Sequence, residues 1–118
     1  MVVPAPIKLL FVCSRARQRS ATAEEIFAGV PGFAVMAAGT ASDADVPVDA
    51  DAIDWADVIF AMEPVHRDRL QRQFGSRLRD KRLIVLGIAD HFGFMDRRLA
   101  ALLRRRVGTH FPELDVDR

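Results

Sequence analysis

Apolar residues along the chain fall into four short runs, and the stretches between them have a different, helical spacing. The runs cover residues 7–13, 33–39, 57–62 and 82–88. Each run is nearly continuous rather than alternating, which is typical of strands covered on both faces in a parallel sheet. The pattern therefore predicts four buried strands.

The stretch after the first run has the spacing of an amphipathic helix. Four apolar residues recur at i, i+3, i+4 and i+7, namely Ala23, Ile26, Phe27 and Val30. The sequence "TAEE" at 22–25 resembles a capping box, and "PG" at 31–32 is a signal that ends a helix. We therefore predict a helix that starts near Ser20.

Three further stretches carry helical signals. "EP" at 63–64 suits the start of a helix that Gly75 can end. Asp96 suits the N-cap of the last helix. Its core-facing residues are predicted to be Leu99, Leu102, Leu103 and Val107. The stretch 40–57 holds six aspartates but lacks the glycine and terminal glutamate of an EF-hand calcium loop, so we predict a solvated loop leading into a short helix.

The order of elements, β-α-β-(α)-β-α-β-α, predicts an α/β fold with one domain over residues 1–118. We expect a three-layer α/β/α arrangement around a four-stranded parallel sheet with the strand order 2-1-3-4. Ligands of such folds bind beyond the carboxyl ends of the strands, where the strand order reverses. Cys13 follows the first strand and Asp90 follows the fourth, so both are candidates for one site at that edge.

Composition and charge narrow the possible classes of protein. Hydrophobic residues make up 50% of the chain and the formal net charge is +1. These values argue against a disordered chain, a fibre and a strongly electrostatic nucleic-acid binder. The first thirteen residues lack the basic start and long apolar centre of a signal peptide, and no stretch resembles a membrane span. We expect a cytoplasmic protein without nucleic-acid or membrane partners.

Cys13 is the only cysteine of the chain, and His66, His91 and His110 lack the spacing of metal ligands. A single cysteine forms no internal disulfide, so we expect a reduced thiol. We also expect no metal site and no cofactor. The three histidines are interpreted as surface or packing residues.

The segment 13–20, "CSRARQRS", combines groups that suit an oxyanion. Backbone amides in a loop between a strand and a helix can converge on an anion, and the helix N-terminus adds partial positive charge. Arg19 offers a planar fork for two oxygens. The positive charge of Arg19 and of the helix N-terminus, together with a hydrogen bond from the Ser20 hydroxyl, favours the thiolate form of Cys13. Attack of that sulfur on the phosphorus of a phosphate monoester is the reaction that these groups suit.

Cys13, five further residues, Arg19 and Ser20 form the C-x5-R-S signature of cysteine-dependent phosphatases. With a strand before it and a helix after it, the signature resembles the start of the low-molecular-weight protein tyrosine phosphatase family. "AAGT" at 37–40 and "WADVIFAME" at 55–63 are similar to later segments of that family, most closely of its short predicted-phosphatase branch. The resemblance extends over most of the chain.

The resemblance implies a metal-independent, protein-tyrosine-phosphatase-like enzyme that acts through a phosphocysteine on a phosphorylated protein or a small aryl phosphate. It makes Cys13 the nucleophile and Asp90 the general acid, with Asp96 as the alternative acid. The phosphate-binding loop after strand 1 would comprise Ser14, Arg15, Ala16, Arg17, Gln18, Arg19 and Ser20. Phe92, beside the acid, could stack on an aryl substrate.

Several positions depart from the family's pattern. Ala16 stands where an asparagine usually braces the loop, and Ala21 replaces the proline after Arg-Ser. His91 and Phe92 replace Pro-Tyr beside the acid. These departures keep open a second interpretation, a catalytically weak or inactive module that binds phosphate or phosphoproteins.

Two further alternatives concern the substrate. Arg15 and Arg17 make the rim of the loop basic, which suits either an acidic or multiply phosphorylated substrate or two outward-pointing surface arginines. Arsenate reductases share this fold and loop, but the thioredoxin-coupled kind relays oxidation through additional cysteines, which the chain lacks. The sequence carries no signal for the oligomeric state or the physiological substrate.

Overall fold

Four strands form the parallel sheet that the apolar runs predict. They are β1 (Ile7–Cys13), β2 (Phe33–Gly39), β3 (Val58–Ala61) and β4 (Arg82–Val85). The computed structural model describes residues 5–114 and 116. The strands lie in the order β2-β1-β3-β4, and every neighbouring pair is parallel. The predicted strand order is therefore confirmed.

Helices cover both faces of this sheet. α1 (Arg19–Phe27) and α4 (Arg97–Gly108) pack on one face, and α2 (Ala50–Trp55) and α3 (Pro64–Phe74) pack on the other. One turn of 3-10 helix, Gly75–Leu78, follows α3. The predicted three-layer α/β/α architecture is confirmed.

The position of β1 explains why its apolar run is continuous. Leu9, Phe11 and Cys13 point into the core beneath α1 and α4, whereas Leu10 and Val12 point into the core on the opposite face. All five are buried, because a central strand between two others must be covered on both faces. Cys13 thereby takes the last position of the strand on the side of α1.

Phe11 of β1 lies between two other buried rings, Phe27 at the end of α1 and Phe60 in β3. The ring centroids are 5.5 and 5.2 Å apart, and the planes differ by only 13° and 14°. Such pairs contribute about 0.5–1.5 kcal/mol each beyond the area that they bury. The stack holds α1 against the strand that precedes it, so both ends of the connecting loop are fixed.

The predicted capping box at the start of α1 is wrong. α1 begins at Arg19, and no side chain caps its first turn. Instead, the Thr22 hydroxyl accepts a hydrogen bond from the Met95 amide, and the Glu24 carboxylate accepts one from the Ala37 amide in β2, each over 2.9 Å. These distant amides need acceptors. The Thr22 hydroxyl, which the predicted capping box would have used, binds one of them instead.

Two elements end several residues earlier than the sequence predicts, and β3 ends one residue earlier, at Ala61. α1 ends at Phe27, although Val30 is buried as its spacing suggests. β4 ends at Val85, but the amides of Leu86 and Ile88 still donate to carbonyl groups of β3 and of the residue after it, over 2.9 and 2.8 Å. The backbone pairing therefore continues almost to Asp90.

The ends of α3 agree with the prediction. Pro64 is its first residue, where a missing amide hydrogen costs nothing, and Gly75 follows its last residue with a φ of 28°.

Within the described residues, no helix combines the length and the apolar character that a membrane crossing requires.

α4 begins as predicted, because the Asp96 carboxylate accepts a hydrogen bond from the Arg98 amide over 2.8 Å. Three of its predicted core residues are buried and the fourth is partly buried: Leu99, Leu103, Val107 and Leu102. α4 therefore starts at the carboxyl edge of the sheet, next to the segment that carries Asp90.

Candidate active site

The loop 14–18 joins β1 to α1 at the carboxyl edge of the sheet. Three amides of the segment 40–45 donate to the carbonyl groups of Cys13, Ser14 and Arg15 over 2.9–3.0 Å. Within the described part of the chain, the amides of residues 14–18 make no hydrogen bond. Carbonyl groups held from outside and amides left without partners are the arrangement of an anion-binding nest.

Gly39 allows the segment 40–45 to come this close. A Cβ atom at Gly39 would lie 2.5 Å from the carbonyl oxygen of Ser14 and 2.7 Å from the Cβ atom of Ala44. Any side chain there would push the supporting segment away from the loop. The glycine of "AAGT" therefore has a structural reason at the site.

Cys13 and Ser20 face each other across the loop. The sulfur and the Ser20 hydroxyl oxygen are 3.0 Å apart, and both side chains are buried. The pocket above them has a volume of about 340 Å³. Its lining consists of Cys13, Ser14, Arg15, Arg17, Gln18, Arg19 and Asp90. The structure thus brings together most of the residues that the sequence predicts for the site.

Arg19 is 3% exposed and is anchored from behind. Its Nη1 atom donates to the Glu63 carboxylate over 2.5 Å and to the Ile88 carbonyl over 2.8 Å. The hydrogen bond from Arg19 lowers the pKa of Glu63, which stays ionised as the partner of this buried cation. Since no hydrogen bond of the described residues uses Nε or Nη2, that edge of the guanidinium is left for a ligand.

Asp90 lies over the same edge of Arg19. Its Oδ1 atom is 3.8 Å from Arg19 Nε, and its side chain is 60% exposed. The segment that carries Asp90 is tied to α1 by the bond between Met95 and Thr22. Asp96, the alternative acid, is instead engaged at the start of α4 and does not line the pocket.

His66 has a role that the sequence analysis missed. It is 1% exposed, its Nδ1 atom accepts from the Glu63 amide over 3.1 Å, and its Nε2 atom is 3.0 Å from the Ser14 hydroxyl oxygen. An amide can only donate, so Nδ1 is unprotonated and Nε2 donates to Ser14. His66 therefore braces the loop from α3. Its place three residues after Glu63, at the start of α3, is the only local signal of this role.

Ala16 occupies the left-handed region of backbone conformation, with a φ of 61°. Glycine, asparagine and aspartate adopt this region readily, whereas the Cβ of alanine crowds the backbone there. This explains why asparagine suits the position. Ala16 does not line the pocket with its side chain, so it contributes backbone only.

Arg15 and Arg17 are paired rather than free. Arg15 Nη1 donates to Asp43 Oδ2 and Arg17 Nε donates to Asp45 Oδ1, each over 2.9 Å. All four side chains are between half and two thirds exposed. The rim of the pocket is therefore charge-balanced, which corrects the expectation of an unusually basic rim.

Phe92 does not line the pocket. Its ring packs against the core on the side of α1 and α4, and the Arg98 guanidinium lies 5.4 Å from its centroid. The described geometry gives the partly buried Phe92 a packing contact, and its contact with an aryl substrate stays a prediction. A cation-π contact with Arg98 and the apolar core together account for its position.

The buried His66 should make the stability of the protein depend on pH. Burial, followed by the charge of Arg19, lowers the pKa of His66 from 6.5 to about 4 in the folded state. Between those pH values the unfolded chain binds a proton that the folded protein does not. The contribution of the neutral His66 to the free energy of unfolding is therefore fully present above about pH 6.5 and is lost as the pH falls towards 4. The expected loss is about 3 kcal/mol.

Urea unfolding at pH 7.5 and pH 4.5 measures this loss, and His66→Gln is the matched variant because its amide can donate to Ser14 but does not titrate. We expect the pH-dependent loss to be smaller in His66→Gln by about 2–3 kcal/mol. Equal losses in both proteins would contradict a buried neutral His66.

The strain at Ala16 should be relieved by glycine. Ala16→Gly is expected to raise the free energy of unfolding by roughly 0.5–1 kcal/mol, because the left-handed conformation no longer crowds a Cβ atom. Ala101→Gly is the matched control: Ala101 is exposed within α4, and glycine there should lower the free energy by about 1 kcal/mol. Denaturant unfolding measures both, and a loss at position 16 would refute the assigned strain.

Known proteins were compared with the chain by sequence and by structure. No protein-family model and no curated protein matches its sequence. Solved structures do match: the YwlE arginine phosphatase from Geobacillus stearothermophilus superposes with a TM-score of 0.72 at 24% identity, over 92% of this chain and 94% of that one.

Two tyrosine phosphatases are similar in the same way. A low molecular weight protein tyrosine phosphatase from Bacillus subtilis matches with a TM-score of 0.70 at 23% identity, over 91% of this chain and 98% of that one. The tyrosine phosphatase Wzb from Escherichia coli K30, in complex with phosphate, matches with a TM-score of 0.73 at 15% identity, over 94% and 100%. The chain therefore has the fold of the low-molecular-weight protein tyrosine phosphatases, as its loop 13–20 suggested.

Proposed function

We propose that this chain is a metal-independent, cysteine-dependent phosphomonoesterase of the protein-tyrosine-phosphatase type. One observation supports the proposal above all others: the sulfur of Cys13, the edge of the Arg19 guanidinium that makes no hydrogen bond within the described residues, and the carboxylate of Asp90 share one pocket. They are a nucleophile, an oxyanion clamp and a proton donor. We expect the enzyme to act on phosphorylated protein or an aryl phosphate in the cytoplasm, where a lone thiol stays reduced.

In the first step, the thiolate of Cys13 attacks phosphorus and the bond to the leaving oxygen breaks. The amides of the loop and the Nε and Nη2 atoms of Arg19 bind the equatorial oxygens, whose charge they stabilise in the transition state. Asp90, protonated at this stage, gives its proton to the leaving oxygen. The products are an alcohol or phenol and a phosphocysteine.

In the second step, water attacks phosphorus and the sulfur–phosphorus bond breaks. Asp90, now a carboxylate, takes a proton from that water, so the first step's acid is the second step's base. The Ser20 hydroxyl, 3.0 Å from the sulfur, can donate a hydrogen bond to the departing thiolate. This step releases inorganic phosphate and regenerates the free thiolate of Cys13.

A module that only binds phosphate is the alternative, and Ala16 favours it because its methyl group cannot make the hydrogen bonds with which an asparagine would brace the loop. The solved structures of the same fold include proteins named arginine phosphatases and tyrosine phosphatases. Parallel assays with phosphotyrosine and phosphoarginine peptides therefore decide the phosphorylated residue. Phe92 lies outside the pocket lining and packs, partly buried, against the core, so it does not by itself decide between the two.

The variant Cys13→Ser separates the enzyme from the binding module. We expect it to lose turnover of para-nitrophenyl phosphate, without metal, by at least about 1,000-fold, because the hydroxyl is a much weaker nucleophile. It should still bind phosphate through Arg19 and the loop amides, seen as a rise in melting temperature with phosphate. Wild-type turnover equal to that of Cys13→Ser would refute the enzyme and leave the binding module.

The two candidate acids are separated by a matched pair of variants. Asp90→Asn should slow the hydrolysis of phenyl phosphate by about 100-fold or more and that of para-nitrophenyl phosphate much less. Phenolate is the poorer leaving group, so its departure depends more on protonation by the acid. Asp96→Asn should instead retain turnover and nearly the full free energy of unfolding, because asparagine also caps helices, whereas Asp96→Ala should lower the free energy of unfolding by about 1 kcal/mol through loss of the α4 cap. If Asp96→Asn slowed phenyl phosphate hydrolysis more than para-nitrophenyl phosphate hydrolysis and Asp90→Asn did not, Asp96 would be the general acid instead of Asp90.

A further inference from the structure

The three arginines around the pocket are each paired with an acid of this chain. Arg19 is buried and anchored by Glu63, whereas Arg15 and Arg17 lie at the rim and are about half exposed. The rim pairs join two loops that are 28 residues apart in the sequence. The two arginines are separated by one residue, and so are the two aspartates that they bind.

The two rim pairs can open without disturbing the fold. Exposed ion pairs contribute only about 0.2–1 kcal/mol each, because water and salt screen the charges. The segment 40–45 is held independently, since its amides donate to the carbonyl groups of Cys13, Ser14 and Arg15. The arginine side chains can therefore exchange one carboxylate partner for another while both loops stay in place.

The pocket offers few other groups that could recognise what is attached to the phosphate. No aromatic or large aliphatic side chain is among its lining residues, and the partly buried ring of Phe92 packs against the core outside the pocket. Once the loop amides and Arg19 hold the phosphate and Asp90 faces the leaving oxygen, Arg15 and Arg17 are the charged lining groups that remain for the rest of a substrate. Carboxylates are the natural partners of such guanidinium groups.

We propose that Arg15 and Arg17 form a second anion-binding subsite, which takes two carboxylates next to the phosphorylated residue of a peptide substrate. Asp43 and Asp45 occupy this subsite in the free protein as internal competitors. The sequence Asp43-Ala44-Asp45 shows the pattern that fits it, an acid, any residue and a second acid. The inference rests on the proposed phosphatase function and gives that function a substrate class.

The test compares two phosphotyrosine peptides, one with Asp-Ala-Asp beside the phosphotyrosine and one with Asn-Ala-Asn. The measured quantity is the ratio of their kcat/KM values, acidic over neutral. Replacing both internal competitors, as in Asp43→Asn with Asp45→Asn, should raise the ratio about three- to tenfold, because the arginines no longer exchange partners on binding. Replacing both arginines, as in Arg15→Gln with Arg17→Gln, should bring the ratio close to one.

A control variant removes the same negative charge elsewhere. Asp80 precedes β4 at the amino edge of the sheet, and Glu113 follows α4 near Phe111, which packs on the first residue of β2. Asp80→Asn with Glu113→Gln should leave the ratio within about twofold of the wild type, because these charges lie more than a screening length from a site at the opposite edge. In the Asp43/Asp45 variant, high salt should reduce the ratio towards one.

Several outcomes would overturn the inference. A wild-type acidic preference that survives in the arginine variant would do so, as would an equal gain for both peptides in the Asp43/Asp45 variant. The single variants Asp43→Asn and Asp45→Asn serve if a double variant fails to fold. If the wild type hydrolyses no substrate, the proposed function fails, and the same ratio is then read from peptide dissociation constants of Cys13→Ser.

Discussion

The buried guanidinium of Arg19 is the constraint on which the site depends. A cation that is 3% exposed is stable only with a charged partner and well-made hydrogen bonds, and Arg19 finds them in Glu63 and in the carbonyl of Ile88. These partners follow β3 and β4, so the start of α1 is joined to the ends of two other strands. The same contacts orient the remaining edge of the guanidinium towards Cys13 and Asp90. An element that fails to reach its place therefore disturbs the pocket and the core together.

Around this anchor the loop is supported from two sides. The segment 40–45 holds its carbonyl groups, and His66 holds the Ser14 hydroxyl from α3. The lowered pKa of His66 keeps the imidazole neutral near pH 7, so it remains a donor from Nε2 without adding a competing cation beside Arg19. The loop amides, which have no partner among the described residues, can then face an incoming phosphate. Support of this kind offsets part of the strain at Ala16.

Much of the fold could be predicted because its signals are local. A central strand must be apolar on both faces, so the run 7–13 identified β1, and the boundaries of β1 and β2 agree with the structure. The cap of α4 by Asp96 was predictable for the same reason, since donor and acceptor are two residues apart. The start of α1 near Ser20 was predictable too, but its capping box was not, because the Thr22 hydroxyl binds the Met95 amide instead. Side chains that suit a local cap serve equally well elsewhere, and only the packed structure decides between the two.

The sequence by itself determined the candidates for nucleophile, oxyanion clamp and acid and the edge of the sheet where they meet, because Cys13 and Arg19 share one loop and parallel strands bring their carboxyl ends to one edge. Only the tertiary structure decided which charges meet. Arg19 reaches Ile88 across 69 residues, Ser14 reaches His66 across 52, and the rim arginines reach their aspartates across 28. It also packed the partly buried Phe92 against the core, outside the pocket lining. Spacing along the chain fixes neighbours within a turn or a strand, whereas these contacts depend on strand order, on helix placement and on the burial that makes an unpaired charge unstable.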